Sequence, residues 1–258
     1  MQDFLKIAEQ ACRESGKIQL DNLNQEREIE FKGAINLVTS VDKACEKFIV
    51  ELIQGNFPDH DILAEEGGGK RKDSPYKWVI DPLDGTTNYA HRYPLFCTSI
   101  ALEYQGEIIT AAVYEPNRDE MFLAEKGSGA TCNGKKIAVS SHSTVNESML
   151  ATGFAYNIRE TEDNNLNHFK KVVLSAQAVR RDGVAASDLC DVAMGRFDGF
   201  WELNLFPWDV AAGFLIIQES GGKVTDFRGK NFEIYSKQIL ATNDKIHQEM
   251  VEILMREL

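Results

Sequence analysis

The chain has 258 residues, enough for one large α/β domain or two smaller ones with a sizeable core. Its 28 Lys and Arg against 40 Asp and Glu leave a net charge of 28 − 40 = −12, a surface that repels nucleic acid and anionic membranes. An anionic substrate would need a local inversion of that field, which a bound cation supplies.

The opening residues recur at helical spacing through Phe4, Leu5, Ala8 and Cys12. The acid and base content of this segment excludes a signal-peptide core. No apolar run approaches the roughly 18 residues of a membrane span. Residues 28–39 suggest a short hairpin around Lys32-Gly33. Ser40 is a fair cap for a second helix with Ala44, Phe48, Leu52 and Ile53 on its apolar face. Short apolar runs at 61–64 and 77–81 read as strands that stop at acids. The segments 96–104, 107–114 and 121–125 read as a meander. From residue 149 the rhythm changes to alternating strands and helices. Strands are expected at 149–152, 199–203, 223–226 and 238–242, with helices at 165–176, 184–194, 208–219 and 245–258. This predicts an α/β fold with subdomains 1–148 and 149–258 in one unit. The five scattered cysteines form no CxxC pair, so they read as reduced thiols of a cytoplasmic protein.

Three acidic clusters share one placement. Glu65-Glu66 follows a strand, Asp81-Pro82-Leu83-Asp84-Gly85 follows another, and Asp209 opens a helix. Taken singly, each has a plain explanation: a turn, an exposed pair, a helix cap. Together they lie against apolar or aromatic neighbours, where an unpaired charge is costly. Carboxylates at strand ends and helix starts meet in a crevice at a sheet edge. Hard oxygen ligands without His or Cys select Mg²⁺ or Mn²⁺ over Zn²⁺. Pro82 biases Asp81 toward extended backbone, Gly85 permits close approach to a ligand, and the Gly85 and Thr86 amides would face a phosphate if they start a helix.

The run DPLDGTTN at Asp81–Asn88, with WDVAAG at Trp208–Gly213, resembles the two signature motifs of the inositol monophosphatase family. Glu65-Glu66 and the segment Glu125–Gly134 fit the same order, and the resemblance spans nearly the whole chain. It implies a layered αβαβα fold and a Mg²⁺-dependent, lithium-sensitive phosphatase, often a homodimer. It implies that Glu65, Asp81 and the Leu83 carbonyl bind one metal, that Asp81, Asp84 and Asp209 bind a second, and that Glu65 helps a weaker third. Gly85 and Thr86 would hold the phosphate and orient the attacking water, with Asp42 paired to the threonine. Lys32 would close over the phosphate. Glu202 would accept hydroxyls of the polyol, and Ala185 would lend pocket backbone. The glycine-rich loop 67–72 departs from the usual family loop.

The implied reaction is hydrolysis of a polyol phosphate monoester, inositol-1-phosphate first, by metal-activated water. Fructose-1,6-bisphosphatase, histidinol-phosphatase and 3′-phosphoadenosine phosphatase are the runners-up. The DxxD spacing differs from the DxD of phosphatases that form an aspartyl-phosphate. A non-catalytic protein on the same fold is the remaining alternative, and it could lose these acids freely.

Overall fold

Helix α1 (Phe4–Asn22) buries Ala8, Ala11, Cys12, Ser15 and Gln19, one stripe at three- and four-residue spacing. In this computed structural model, residues 4–25, 29–31, 37–67, 69 and 71–256 are described. Strands β1 (Ile29–Phe31) and β2 (Leu37–Thr39) pair antiparallel, the hairpin read from the sequence. Its turn, with Lys32-Gly33, lies outside the described residues, as do Gly68 and Lys70 of the glycine-rich loop.

Helix α2 (Ser40–Asn56) is capped by Thr39, one residue before the expected Ser40. Thr39 is extended (φ −111°, ψ 164°) and its hydroxyl accepts the Val41 amide at 3.2 Å. Its own amide donates to Asp42 at 2.9 Å. A carboxylate at the third helical position reaches back to the residue three before it, and that residue is Thr39.

The first sheet contains β3 (Asp61–Ala64) and β4 (Tyr76–Asp84). The short helix α3 (Thr86–Ala90) then leads to β5 (Cys97–Tyr104), β6 (Glu107–Glu115), β7 (Glu120–Glu125), β8 (Gly129–Cys132) and β9 (Lys135–Lys136). The strands lie side by side in chain order, β3 parallel to β4 and the rest antiparallel. Strand β4 does not stop at Asp81 as the abrupt acid suggests. It runs on to Asp84 through a bulge: Asp81 pairs with Ser99 and Asp84 with Cys97, three steps against two. Pro82 sits inside that bulge, where its missing N–H costs the ladder nothing.

A 3₁₀ turn at Val145–Glu147 opens the second half. Its elements are β10 (Met149–Thr152), α4 (Leu166–Val173), β11 (Ala178–Arg180), α5 (Ala185–Ala193), β12 (Gly199–Leu203), α6 (Pro207–Glu219), β13 (Lys223–Thr225), β14 (Gln238–Thr242) and α7 (His247–Met255). The second sheet has the order β11-β10-β12-β14-β13, with β10 parallel to both neighbours.

Alternation along the strands assigns each face. Trp78 and Ile80 of β4 pack with Ala8, Ala11, Ile49 and Ile53 of α1 and α2. Val79, between them, packs on the other face with Leu189 and Ile216 of α5 and α6. That middle helical layer also meets Phe200 and Ala241 of the second sheet, so α6 is apolar around its circumference. Val172, Met250 and Ile253 of α4 and α7 cover the outer face, over Leu150, Trp201 and Leu240. The stack reads α-β-α-β-α, the layered α/β class the resemblance implies. All five cysteines are buried free thiols. Among the described residues no helix is long and apolar enough to cross a membrane.

His247 is buried between two threonines, Nε2 at 2.9 Å from Thr225 Oγ1 and Nδ1 at 2.8 Å from Thr242 Oγ1. Burial, helped by Lys223, pulls its pKa from 6.5 to about 4. The unfolded chain therefore takes up this proton at higher pH than the folded one. The stability concerned is intact above pH 6.5 and lost as pH falls toward 4. Thermal melts are expected to fall across that window, and more steeply than in His247→Gln. Equal slopes in the two proteins would assign the acid sensitivity to other groups.

Candidate active site

Strand β3 ends at Ala64, and the Glu65 amide extends its pairing by donating to the Ile80 carbonyl at 3.2 Å. That bond sets Glu65 beside Asp81, the next residue of β4. The following amide, Glu66, donates to Glu46 Oε2 of α2 at 2.7 Å, and Glu46 is itself buried. The acidic turn is thus held from two sides.

Asp81 is buried, and its Oδ1 accepts the Leu83 amide at 3.0 Å across the bulge. Asp84 Oδ2 accepts the amide of Ala186, in the first turn of α5, at 2.7 Å. Asp209 is not the cap of α6. Pro207 takes the first helical position, Phe206 the cap, and Asp209 reaches back from the third position to the Phe206 amide at 2.7 Å. In each of these three, a backbone N–H engages the carboxylate.

The acids feel one another. Burial, then the charges of Glu65, Asp84 and Asp209, pushes the Asp81 carboxyl well above the usual range. Burial raises Asp84 to about 7, against the Ala186 amide, with Glu65 adding to the rise. Burial, then Asp84, raises Asp209, with smaller contributions from Glu65 and Glu202. No ion pair reaches Asp81, Asp84 or Asp209 among the described residues. Nor do three or more His, Cys, Asp or Glu side chains among the described residues stand close enough together to hold a metal ion. The crevice holds neighbouring carboxylates at odds, an all-oxygen donor set that a hard divalent cation suits.

Beside it, Gly85 adopts φ +93°, a conformation that favours glycine, and a Cβ there would lie 2.8 Å from Val184 Cγ2. Helix α3 then starts at Thr86, as required for the Gly85 and Thr86 amides to face the crevice. Thr86 Oγ1 is 2.8 Å from Asp42 Oδ1 and 3.1 Å from the Leu83 carbonyl. A hydroxyl has one proton, so the threonine donates to one or the other. Asp42 is buried, which raises its pKa, while hydrogen bonds from Thr39 and Thr86 oppose the rise. Glu202 lies on β12 two residues after Phe200, on the face turned to the middle helices. Burial raises it to about 8, Arg181 opposes, and Asp84 adds to the rise, so it borders the same crevice. Ala185 opens α5, one residue before the amide on Asp84. Lys32 lies outside the described residues.

Two residues here escape sequence reasoning. Glu46 reads as an ordinary helix residue. Tyr156, in the loop after β10, has a half-exposed ring, yet its hydroxyl is raised in pKa by burial and by Asp84, Glu65 and Asp209, with Thr87 as hydrogen-bond partner. Neither belongs to a motif.

The stack of layers, with carboxylates of β4 and α6 near Glu65, is that of a class of phosphoric monoester hydrolases. The model of the inositol monophosphatase family matches residues 1–257, and the chain belongs to that family. An inositol-1-monophosphatase of Synechocystis sp. is 44% identical over 98% of this chain and 89% of its own. The Nus factor SuhB of Pseudomonas aeruginosa is 40% identical over 100% and 98%. The solved inositol monophosphatase of Anabaena superposes with a TM-score of 0.90 at 44% identity, covering 98% of this chain and 96% of that one. An IMPase/NADP phosphatase complexed with Mg²⁺ and phosphate superposes at 0.83 with 25% identity, over 95% and 92%.

Because the acids repel, removing one relieves strain in the metal-free protein. Asp209→Asn is expected to melt higher than the parent in chelator, on the order of 2–4 °C for each kcal/mol relieved, and to lose the further rise that Mg²⁺ gives the parent. A lower melting point in chelator would show that Asp209 is chiefly a helix-start residue.

Proposed function

We propose that this chain hydrolyses polyol phosphate monoesters, inositol-1-phosphate foremost, with Mg²⁺. The observation that carries the reading is the mutual repulsion of Glu65, Asp81, Asp84 and Asp209 at one crevice, beside the Asp42–Thr86 pair. Glu65, Asp81 and the Leu83 carbonyl would hold one Mg²⁺; Asp81, Asp84 and Asp209 would hold another. Bound there, Mg²⁺ acidifies the attacking water and offsets charge on the phosphate and the leaving alkoxide. The chain's own residues do the rest. Gly85 and Thr86 bind the phosphate through their amides. Asp42 orients the Thr86 hydroxyl, which positions the water, and the buried carboxylate is placed to receive a proton by way of the threonine. Lys32 is assigned to the phosphate by resemblance. Glu202 accepts hydroxyls of the polyol beside the Ala185 backbone. No covalent phosphoenzyme is needed.

The Mg²⁺ and phosphate of the IMPase/NADP phosphatase complex support the metal and the substrate class. The net charge of −12 and the free cysteines support a cytoplasmic location. A homodimer belongs to the same reading by resemblance.

A second reading, a non-catalytic role, has one observation in its favour: a relative 40% identical over 98% of its length is a Nus factor. The complete acidic set favours catalysis. A calorimetric titration with no Mg²⁺ binding in the presence of phosphate would favour the other role.

Phosphate release is expected to have a higher kcat/KM on inositol-1-phosphate than on fructose-1,6-bisphosphate, histidinol phosphate or phosphoadenosine phosphate. It is expected to vanish with chelator. A higher value on another ester would transfer the assignment to that substrate. Asp81→Asn should lose at least about a hundredfold in kcat, the scale of losing one element of charge stabilisation. Near-normal turnover in that variant would remove Asp81 from the metal set.

A further inference from the structure

We propose that Gly153 is a positioning residue that selects the leaving group, because its missing side chain leaves the space occupied by the Glu202 carboxylate. The inference rests on the reading of Glu202 as the residue that meets polyol hydroxyls.

Strand β10 runs parallel to β12 with Thr152 opposite Trp201, so the next residues, Gly153 and Glu202, come together at the crevice end of the pair. A methyl group at 153 would overlap both carboxylate oxygens of Glu202 and lie 2.5 Å from its Cδ. Gly153 is not among the glycines with positive φ, so its backbone suits any L-residue. The need for glycine is therefore one of space, and the three atoms nearest to an added Cβ all belong to Glu202.

The backbone at 153 cannot retreat. Asn165, buried and itself in the left-handed region (φ 70°), donates from Nδ2 to the Gly153 carbonyl at 2.7 Å and lies 2.9 Å from Thr152 Oγ1. Its Oδ1 accepts the Trp201 indole N–H at 2.9 Å. The Thr152 hydroxyl donates to the Trp201 carbonyl at 2.5 Å. One amide thus ties the end of β10 to the strand that carries Glu202, on the side away from the clash. When a side chain is added at 153, the movable partner is the end of the Glu202 side chain.

A leaving group rich in hydroxyls uses Glu202, and one without hydroxyls does not. Gly153→Ala, assayed as holoenzyme with Mg²⁺, is therefore expected to lose about 10-fold in kcat/KM on inositol-1-phosphate, the worth of one or two hydrogen bonds. The loss should fall mainly in KM, with p-nitrophenyl phosphate hydrolysed as by the parent. Glu202→Ala should show the same split. Shortening the acid in the double variant Gly153→Ala/Glu202→Asp should recover part of the loss, which only a steric cause predicts. If Glu202→Ala shows the split and Gly153→Ala does not, Gly153 has no such role and the reading of Glu202 stands. If neither shows it, the reading of Glu202 fails. An unfolded Gly153→Ala, or one that loses both substrates equally, would place the clash in the backbone and overturn the proposal.

Discussion

Like charges that are forced together decide how this protein is built. Left alone, Glu65, Asp81, Asp84 and Asp209 would part or stay protonated. What keeps them together is backbone: Leu83 on Asp81, Ala186 on Asp84 and Phe206 on Asp209. These donors come from three places, the bulge of β4, the first turn of α5 and the cap of α6. Of these contacts, the Ala186 amide on Asp84 joins a middle helix to the first sheet, while the other two fix an acid within its own element.

Much of this was legible in the chain, because the site is built from local signals. Strands β12 and β14 fall on the residues read for them, since their apolar runs are bounded by turn residues. The failures have physical reasons. An acid after Trp78-Val79-Ile80 reads as a strand end, because charge is costly in a core. Here the strand carries Asp81 inward and uses a bulge at Pro82 to bring Asp84 toward the same crevice. Ser40 lost the cap to Thr39 because the deciding partner, Asp42, acts at a distance of three residues. Strands β8, β9 and β11 are two to four residues long and hold little apolar pattern of their own. They exist through pairing with neighbours. Glu46 and Tyr156 gain meaning only once the chain has folded, and no spacing rule finds such residues.

The site divides between the sheets. The side proposed to hold phosphate, Glu65 through Thr86, is carried by β3, β4 and α3. The side proposed to meet the rest of the substrate, Glu202 with Gly153 against it, is carried by β12 and the end of β10. Asp209 and the Ala186 amide join them from the layer between. On the proposed reading, changes on the second sheet alter what is hydrolysed while leaving the means of hydrolysis in place.

Helix α2 gives the first side an unusual economy of parts. Asp42 and Glu46 stand one helical turn apart on one face, the first holding the Thr86 hydroxyl and the second the amide of Glu66. The hairpin β1–β2 feeds straight into that helix through Thr39. One rod thus reaches two points, the Thr86 hydroxyl and the turn that carries Glu65. The placement of both depends on how that single helix is seated.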